Sequence, residues 1–221
     1  MKNILVISDF HLPFEIKGAL SFLKRVRDKY ECKEIVCIGD ILDHSAVSYH
    51  EEDPDGLSAG REFKLARKKL SRIVEAFPKV KVCIGNHDNL IYRKAKTAGL
   101  SKHFFKSFND IYDLPKTWDW QFKHDIGDIT FQHGTGASGA NAHIKLAKAN
   151  MRNTVIGHAH SHAGINYIAN SEKLIYGMNV GSLIDRKSYA MAYGRDFVYK
   201  PIISCGVIQQ GIPMIIPMNL T

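Results

Sequence analysis

Cysteine is scarce in this sequence. Cys32, Cys37, Cys83 and Cys205 form no Cys-x-x-Cys pair, and Cys37 and Cys83 sit inside apolar runs. That pattern predicts buried thiols rather than a disulfide framework or zinc ligands, and with them a reducing compartment. Long hydrophobic runs are missing as well. None approaches the roughly 20 apolar residues that a membrane span needs, and Asp9 interrupts the first apolar run before it is long enough for a secretory h-region. There are no internal repeats and no low-complexity linkers. Together these absences lead to the expectation of a cytoplasmic protein without membrane association.

With 221 residues, 45% of them hydrophobic, the chain can bury one substantial core, so a single domain over 1–221 is expected. A net charge of +8 favours anionic ligands such as phosphates, nucleotides or nucleic acid, although a plain solvated basic surface would give the same number.

Five places share one construction, a β-rich apolar run that stops at metal-type residues. Leu5 to Ser8 leads to Asp9-Phe10-His11, Ile35 to Ile38 to Gly39-Asp40-Ile41-Leu42-Asp43, and Lys81 to Ile84 to Gly85-Asn86-His87-Asp88. Ile129 to Gln132 leads to His133-Gly134, and Thr154 to Ile156 to Gly157-His158-Ala159-His160. Carboxylate, imidazole and amide oxygen can each ligate a metal, and imidazole also moves protons near neutral pH. Taken singly, each motif has a bland reading: Gly-Asn-His-Asp is an ordinary Asx-type turn, His133 a strand-end histidine, and Asp43 and Asp88 are caps. Taken together, they place donors after five strands, where open α/β sheets gather their ligands.

Between these strands, apolar residues at helical spacing predict a crossover helix over Ile16 to Tyr30, completing a βαβ unit. A second helix, with a stripe of Phe63, Ala66, Leu70, Ile73, Val74 and Phe77, is predicted to end at Pro78. Its basic face, Arg61, Lys64, Lys68 and Arg72, reads as solvated or as a phosphate contact. The segment 89–125 interleaves Arg93, Lys94, Lys96, Lys102 and Lys106 with Tyr92, Phe104, Phe105, Phe108, Tyr112, Trp118 and Trp120, which suits either a cap packed on the core or a platform for bases and phosphates. The loop from Gly134 to Gly139 could hold an anion ahead of a helix but lacks the Gly-Lys-Ser/Thr ending of a nucleotide P-loop. Past His160, strands are expected over Leu174 to Asn179, Asp196 to Ile208 and Ile212 to Met218, with Gly194 among the punctuating glycines.

The five motifs, in this order, resemble the calcineurin-like metallophosphoesterase superfamily. The resemblance covers residues 9 to 160 and implies an α/β fold (α+β in some schemes), a four-layer α/β/β/α sandwich with central mixed sheets. It further implies two divalent transition-metal ions. One would be held by Asp9, His11, Asp40 and His160, the other by Asp40, Asn86, His133 and His158, with Asp40 bridging. Manganese is the first expectation, with iron, zinc, nickel or magnesium as alternatives, while calcium would want oxygen ligands alone.

The implied chemistry is hydrolysis of a phosphate mono- or diester by a metal-bridging hydroxide, with His87 donating a proton to the leaving oxygen and Asp43 orienting the His87 ring. Protein serine/threonine phosphatases of the superfamily carry Arg where this chain has His44 and Asn89, which argues against a phosphoprotein substrate. The Gly-Asn-His-Asp form is similar to that of nuclease and small bacterial or phage branches, so nucleotides and nucleic acid are the expected substrates, with no membrane partner and no protein partner specified. Two alternatives stay open, a nucleic-acid-binding protein and a non-catalytic protein-interaction module on the same fold.

Overall fold

A computed structural model describes residues 2–49, 54–188 and 198–220. The amino-terminal half alternates strand and helix: β1 (Ile4–Ile7), α1 (Ala19–Lys29), β2 (Glu34–Cys37), α2 (Ala59–Ala76) and β3 (Val80–Cys83). There follow α3 (Leu90–Thr97), α4 (Phe108–Tyr112), β4 (Trp118–Gln121), β5 (Lys123–Ile126), β6 (Ile129–Gln132), α5 (Ala142–Asn150) and β7 (Asn153–Ile156). Four strands complete the chain: β8 (Ala163–Ala169), β9 (Leu174–Val180), β10 (Ser204–Gln209) and β11 (Ile212–Pro217).

These strands form two mixed sheets, a six-stranded one ordered β11-β10-β1-β2-β3-β4 and a five-stranded one ordered β5-β6-β7-β9-β8. The strand pleat explains the layering. Side chains along β1 alternate, so Leu5 and Ile7 join the core under α1 and α2, together with Leu23, Leu70 and Ile73. Ile4 and Val6 face the other way and pack with Phe131, Val155, Met178 and Val180 of the second sheet. Helix α5 covers the outer face of that sheet, and Gly177 of β9 lets it close in, because a Cβ there would meet the His143 carbonyl oxygen at 2.5 Å. The result is the expected α/β/β/α order.

Several boundaries differ from the sequence reading. Helix α2 begins at Ala59, two residues ahead of Arg61, and Glu62 turns inward: its carboxylate accepts from the Ser45 and Ala46 amides, each at 3.1 Å. The segment 89–125 is not one cap. Its final part supplies β4, parallel to β3 with Val80 opposite Trp118, and β5, antiparallel to β6. Trp118 is buried there and donates through Nε1 to the Phe77 carbonyl at 3.0 Å, so part of that aromatic content belongs to the core.

Strand β8 is absent from the sequence reading because it is a half-exposed edge, where Ala163, Gly164 and Asn166 leave neither a buried apolar run nor a clear alternation. The strand expected from Asp196 starts at Ser204 among the described residues, while Asp196 and Gly194 lie outside them. No helix among the described residues is long and apolar enough to cross a membrane.

Candidate metal centre

The ends of β1, β2, β3, β6 and β7 meet on one rim, and the backbone there is bent to aim the donors. Asp9, His11, Asp40 and His158 all have left-handed φ, from 47° to 67°, a region that costs about 1–2 kcal/mol per non-glycine residue and persists where surrounding structure enforces it. Two glycines make the approach possible. A Cβ on Gly85 would overlap the Asp40 carboxylate, and one on Gly157 would overlap Ser8 Oγ and Asp9 Oδ2.

Two groups of donors result. In the first, His160 Nε2 lies 2.9 Å from Asp9 Oδ1 and 3.1 Å from His11 Nε2. In the second, His133 Nε2 lies 2.9 Å from Asn86 Oδ1, 3.1 Å from Asp40 Oδ2 and 3.2 Å from His158 Nδ1. Asp40 Oδ2 is also 3.9 Å from His11 Nε2, so that one oxygen reaches toward both groups. Donors about 2.1 Å from a shared ion sit roughly 3 Å from each other when its ligands are at right angles. The spacing within each group is of that size.

A second ring of contacts sets which atom each histidine presents. His11 Nδ1 donates to Asp43 Oδ1 at 2.7 Å and His133 Nδ1 donates to the Ile38 carbonyl at 2.8 Å, which leaves both Nε2 atoms for the pocket. Asp40 Oδ1 accepts from the His87 amide at 2.8 Å, and Asp9 Oδ2 accepts from the His158 amide at 3.0 Å and from Ser8 Oγ. Asp88 is fully buried and accepts from Leu42 N and Gly85 N, each at 3.0 Å, so it ties two of the loops together. Burial and the like charge of Asp40 push its carboxyl up to about 6.

The electrostatics of the pocket call for positive charge. Burial opposes ionisation of Asp9 and Asp40, yet the neighbouring histidines hold both carboxyls well below the usual range. In return, and against burial, Asp43 raises His11 well above its ordinary value and Asp40 pushes His133 up to about 9. His158 moves the other way, kept neutral by burial and by the charge on His133. A divalent cation meets that demand, and the mixed carboxylate, imidazole and amide donors fit a first-row transition metal.

Asp43 is placed differently from expectation. Its carboxylate goes to His11 and lies 3.5 Å from His87 Nδ1. It is the main-chain carbonyl of Asp43 that accepts from His87 Nδ1, at 2.7 Å. Spacing in the motif cannot say which of the three Asp43 oxygens is used. His87 borders an open cleft of ≈ 270 Å³ together with Asp40, Asn86, His158 and His160. Ser138 and Gly139, from the glycine loop ahead of α5, form part of the rim, as do His162 and Tyr199. No Lys or Arg lines it among the described residues.

Motif reading also left out the braces. His44 Nδ1 donates to the His87 carbonyl at 2.8 Å, and its Nε2 accepts from Tyr112 Oη at 2.6 Å. Asn179 Nδ2 donates to the Ala159 carbonyl at 3.1 Å, steadying the loop that carries His158 and His160. The signal for His44 was its adjacency to Asp43; for Asn179 none was present.

A family model described as calcineurin-like phosphoesterase matches residues 2–188. No curated protein matches the sequence. Among solved structures, this chain is similar to Vps29 from Chaetomium thermophilum at 14% identity, over 100% of this chain and 93% of that one, with a TM-score of 0.52. It is also similar to a metallophosphoesterase from Sphaerobacter thermophilus at 17% identity, over 99% and 88% of the two chains, with a TM-score of 0.50. At such identities the likeness is one of fold.

Proposed function

The chain belongs to the calcineurin-like phosphoesterase family, and we propose that it hydrolyses phosphate mono- or diesters of nucleotides or nucleic acid in a metal-dependent reaction. One observation carries this reading: two donor groups, Asp9 with His11 and His160 and Asp40 with His133 and His158, stand side by side at one end of a cleft. In this reading Asp9, His11, Asp40 and His160 hold one ion and Asp40, Asn86, His133 and His158 the other. Divalent ions held there, manganese first among them, would supply Lewis-acid charge to a phosphoryl oxygen and would lower the pKa of water.

The chain's own groups do the rest. Asp43 keeps His11 in the tautomer that presents Nε2, and the Ile38 carbonyl does the same for His133. His87 is anchored through Nδ1, so Nε2 is the ring atom left to pass a proton to the leaving oxygen. Since no Lys or Arg lines the cleft among the described residues, attraction of the phosphate falls to the cations. Four free, buried cysteines support placing the protein in the cytoplasm.

The test is turnover of bis(p-nitrophenyl) phosphate and p-nitrophenyl phosphate with manganese, iron, zinc, nickel and magnesium in turn. Metal-dependent release of nitrophenol is expected. Silence with all five would remove this reading and leave the interaction-module alternative.

A further inference from the structure

The turn that carries Asn86 and His87 closes with the Asn89 amide donating to the Gly85 carbonyl at 3.1 Å, and α3 leaves directly from it. Asn89 is also the first residue of a second concavity, a groove of ≈ 490 Å³ lined by Tyr92, Arg93, Lys96, Lys102 and Phe105. The groove is therefore lined in part by the residue that closes the metal-centre turn. Asn89, Arg93 and Lys96 follow at helical spacing on one face, which covers about 10 Å along the axis at 1.5 Å per residue.

Residues 89–106 contain five Lys or Arg and no Asp or Glu. Among the described residues, Arg93, Lys96 and Lys102 are not paired with any carboxylate. Arg93 instead rests on the Tyr49 ring, 5.1 Å from its centroid. Apolar faces accompany the charges: Phe104 is 78% exposed, and Tyr92 and Phe105 pack edge to face at 5.8 Å. A merely solvated helix face would be convex and would mix its charges, whereas this one is concave, of a single sign and set with open rings. The metal cleft, in contrast, has no Lys or Arg of its own among the described residues. Charge for a phosphate chain is thus concentrated beside the reacting centre rather than in it.

We propose that the α3 groove binds the flanking phosphates and bases of a single-stranded nucleic acid whose scissile phosphodiester lies at the metal centre. Resting on the phosphoesterase reading above, this narrows the substrate to a polynucleotide strand. A single strand is specified because its bases are free to stack on exposed rings while cations follow the backbone.

The experiment compares kcat/KM for a 12-nucleotide DNA strand with that for bis(p-nitrophenyl) phosphate, in manganese. Three proteins are used: the native chain, the triple variant Arg93→Ala, Lys96→Ala, Lys102→Ala, and a control of equal net charge, Lys24→Ala, Arg25→Ala, Lys29→Ala on α1. In the groove variant the ratio of oligonucleotide to small-ester turnover is expected to fall tenfold or more, with the control within twofold of native. Binding of the same strand, read by fluorescence anisotropy, should lose about 2 from its log–log salt slope, since each phosphate contact contributes about 0.7 for single strands. An unchanged ratio in the groove variant, or an equal fall in the control, overturns the proposal. If native protein turns over neither substrate, the phosphoesterase reading is what fails. Anisotropy then decides the groove alone: binding lost in the groove variant and kept in the control upholds it, and anything else removes it.

Discussion

His87 is held by the main chain of Asp43 and not by its carboxylate: Nδ1 donates to the Asp43 carbonyl oxygen at 2.7 Å, while Asp43 Oδ1 serves His11 Nδ1 at the same distance. One residue therefore positions His87, the proposed proton donor, through its backbone and His11, a proposed ligand, through its side chain. The two roles can be separated by substitution.

His87→Ala removes the proton donor without touching a proposed ligand. Turnover of an ester with a poor leaving group should drop about 10²- to 10⁴-fold, the range of general acid catalysis, with metal content by elemental analysis unchanged. A proportional loss of metal would show that His87 is a ligand instead.

Asp43→Asn keeps the carbonyl that anchors His87 but weakens the hold on His11. Metal affinity, measured by manganese titration calorimetry, should fall about 10- to 100-fold, as for other outer partners of ligating histidines. At saturating metal, kcat should be nearly restored. A lasting kcat defect with native affinity would return the carboxylate to His87.

Removal and return of metal should be visible in stability and in pH. Manganese at about 100 times its Kd should stabilise the fold by ~2.7 kcal/mol, raising Tm by roughly 5–10 °C for a chain of this size. His133, pushed up to about 9, is largely protonated at pH 7 in the metal-free protein, so metal must displace a proton. Affinity should therefore rise from pH 7 to 9. Because the folded value lies above the unfolded 6.5, the stability that charged His133 lends the metal-free fold is whole below pH 6.5 and disappears as pH rises through about 9. An affinity flat or falling across that window would contradict this account.

Two glycine substitutions should have opposite signs. Gly157→Ala drives a Cβ into Ser8 and Asp9 and should cost about 1–3 kcal/mol as well as metal affinity. Gly60→Ala lies in α2, where a Cβ meets nothing within 4 Å, and should stabilise by about 0.4–1 kcal/mol. Denaturant melts of both proteins check the pair, and a destabilised Gly60→Ala would mean that α2 starts later than Ala59.

The donors were legible in the sequence because each lies within a few residues of the strand that aims it. An apolar run ending in Asp9 and His11, or in His158 and His160, states both the strand and its cargo locally. The same holds for α1 and α2, whose buried stripes recur at helical spacing. Where a side chain's job depends on a distant partner, no local pattern existed. Edge strands β4 and β5 are only four residues long and β8 is half-exposed, so none offers the buried apolar run that marks the central strands, and the contact between the Asp43 carboxylate and His11 joins residues 32 positions apart.

By itself, then, the sequence determined the strand and helix alternation and which side chains could bind metal, since both follow from short-range spacing and donor chemistry. Only the tertiary structure decided that Asp43 divides its oxygens between two histidines, and that Arg93, Lys96 and Lys102 gather along a groove that Asn89, next to the metal loop, also lines. Those are relations between strand ends and helices brought together by packing two sheets through one core, and packing is a property of the whole chain.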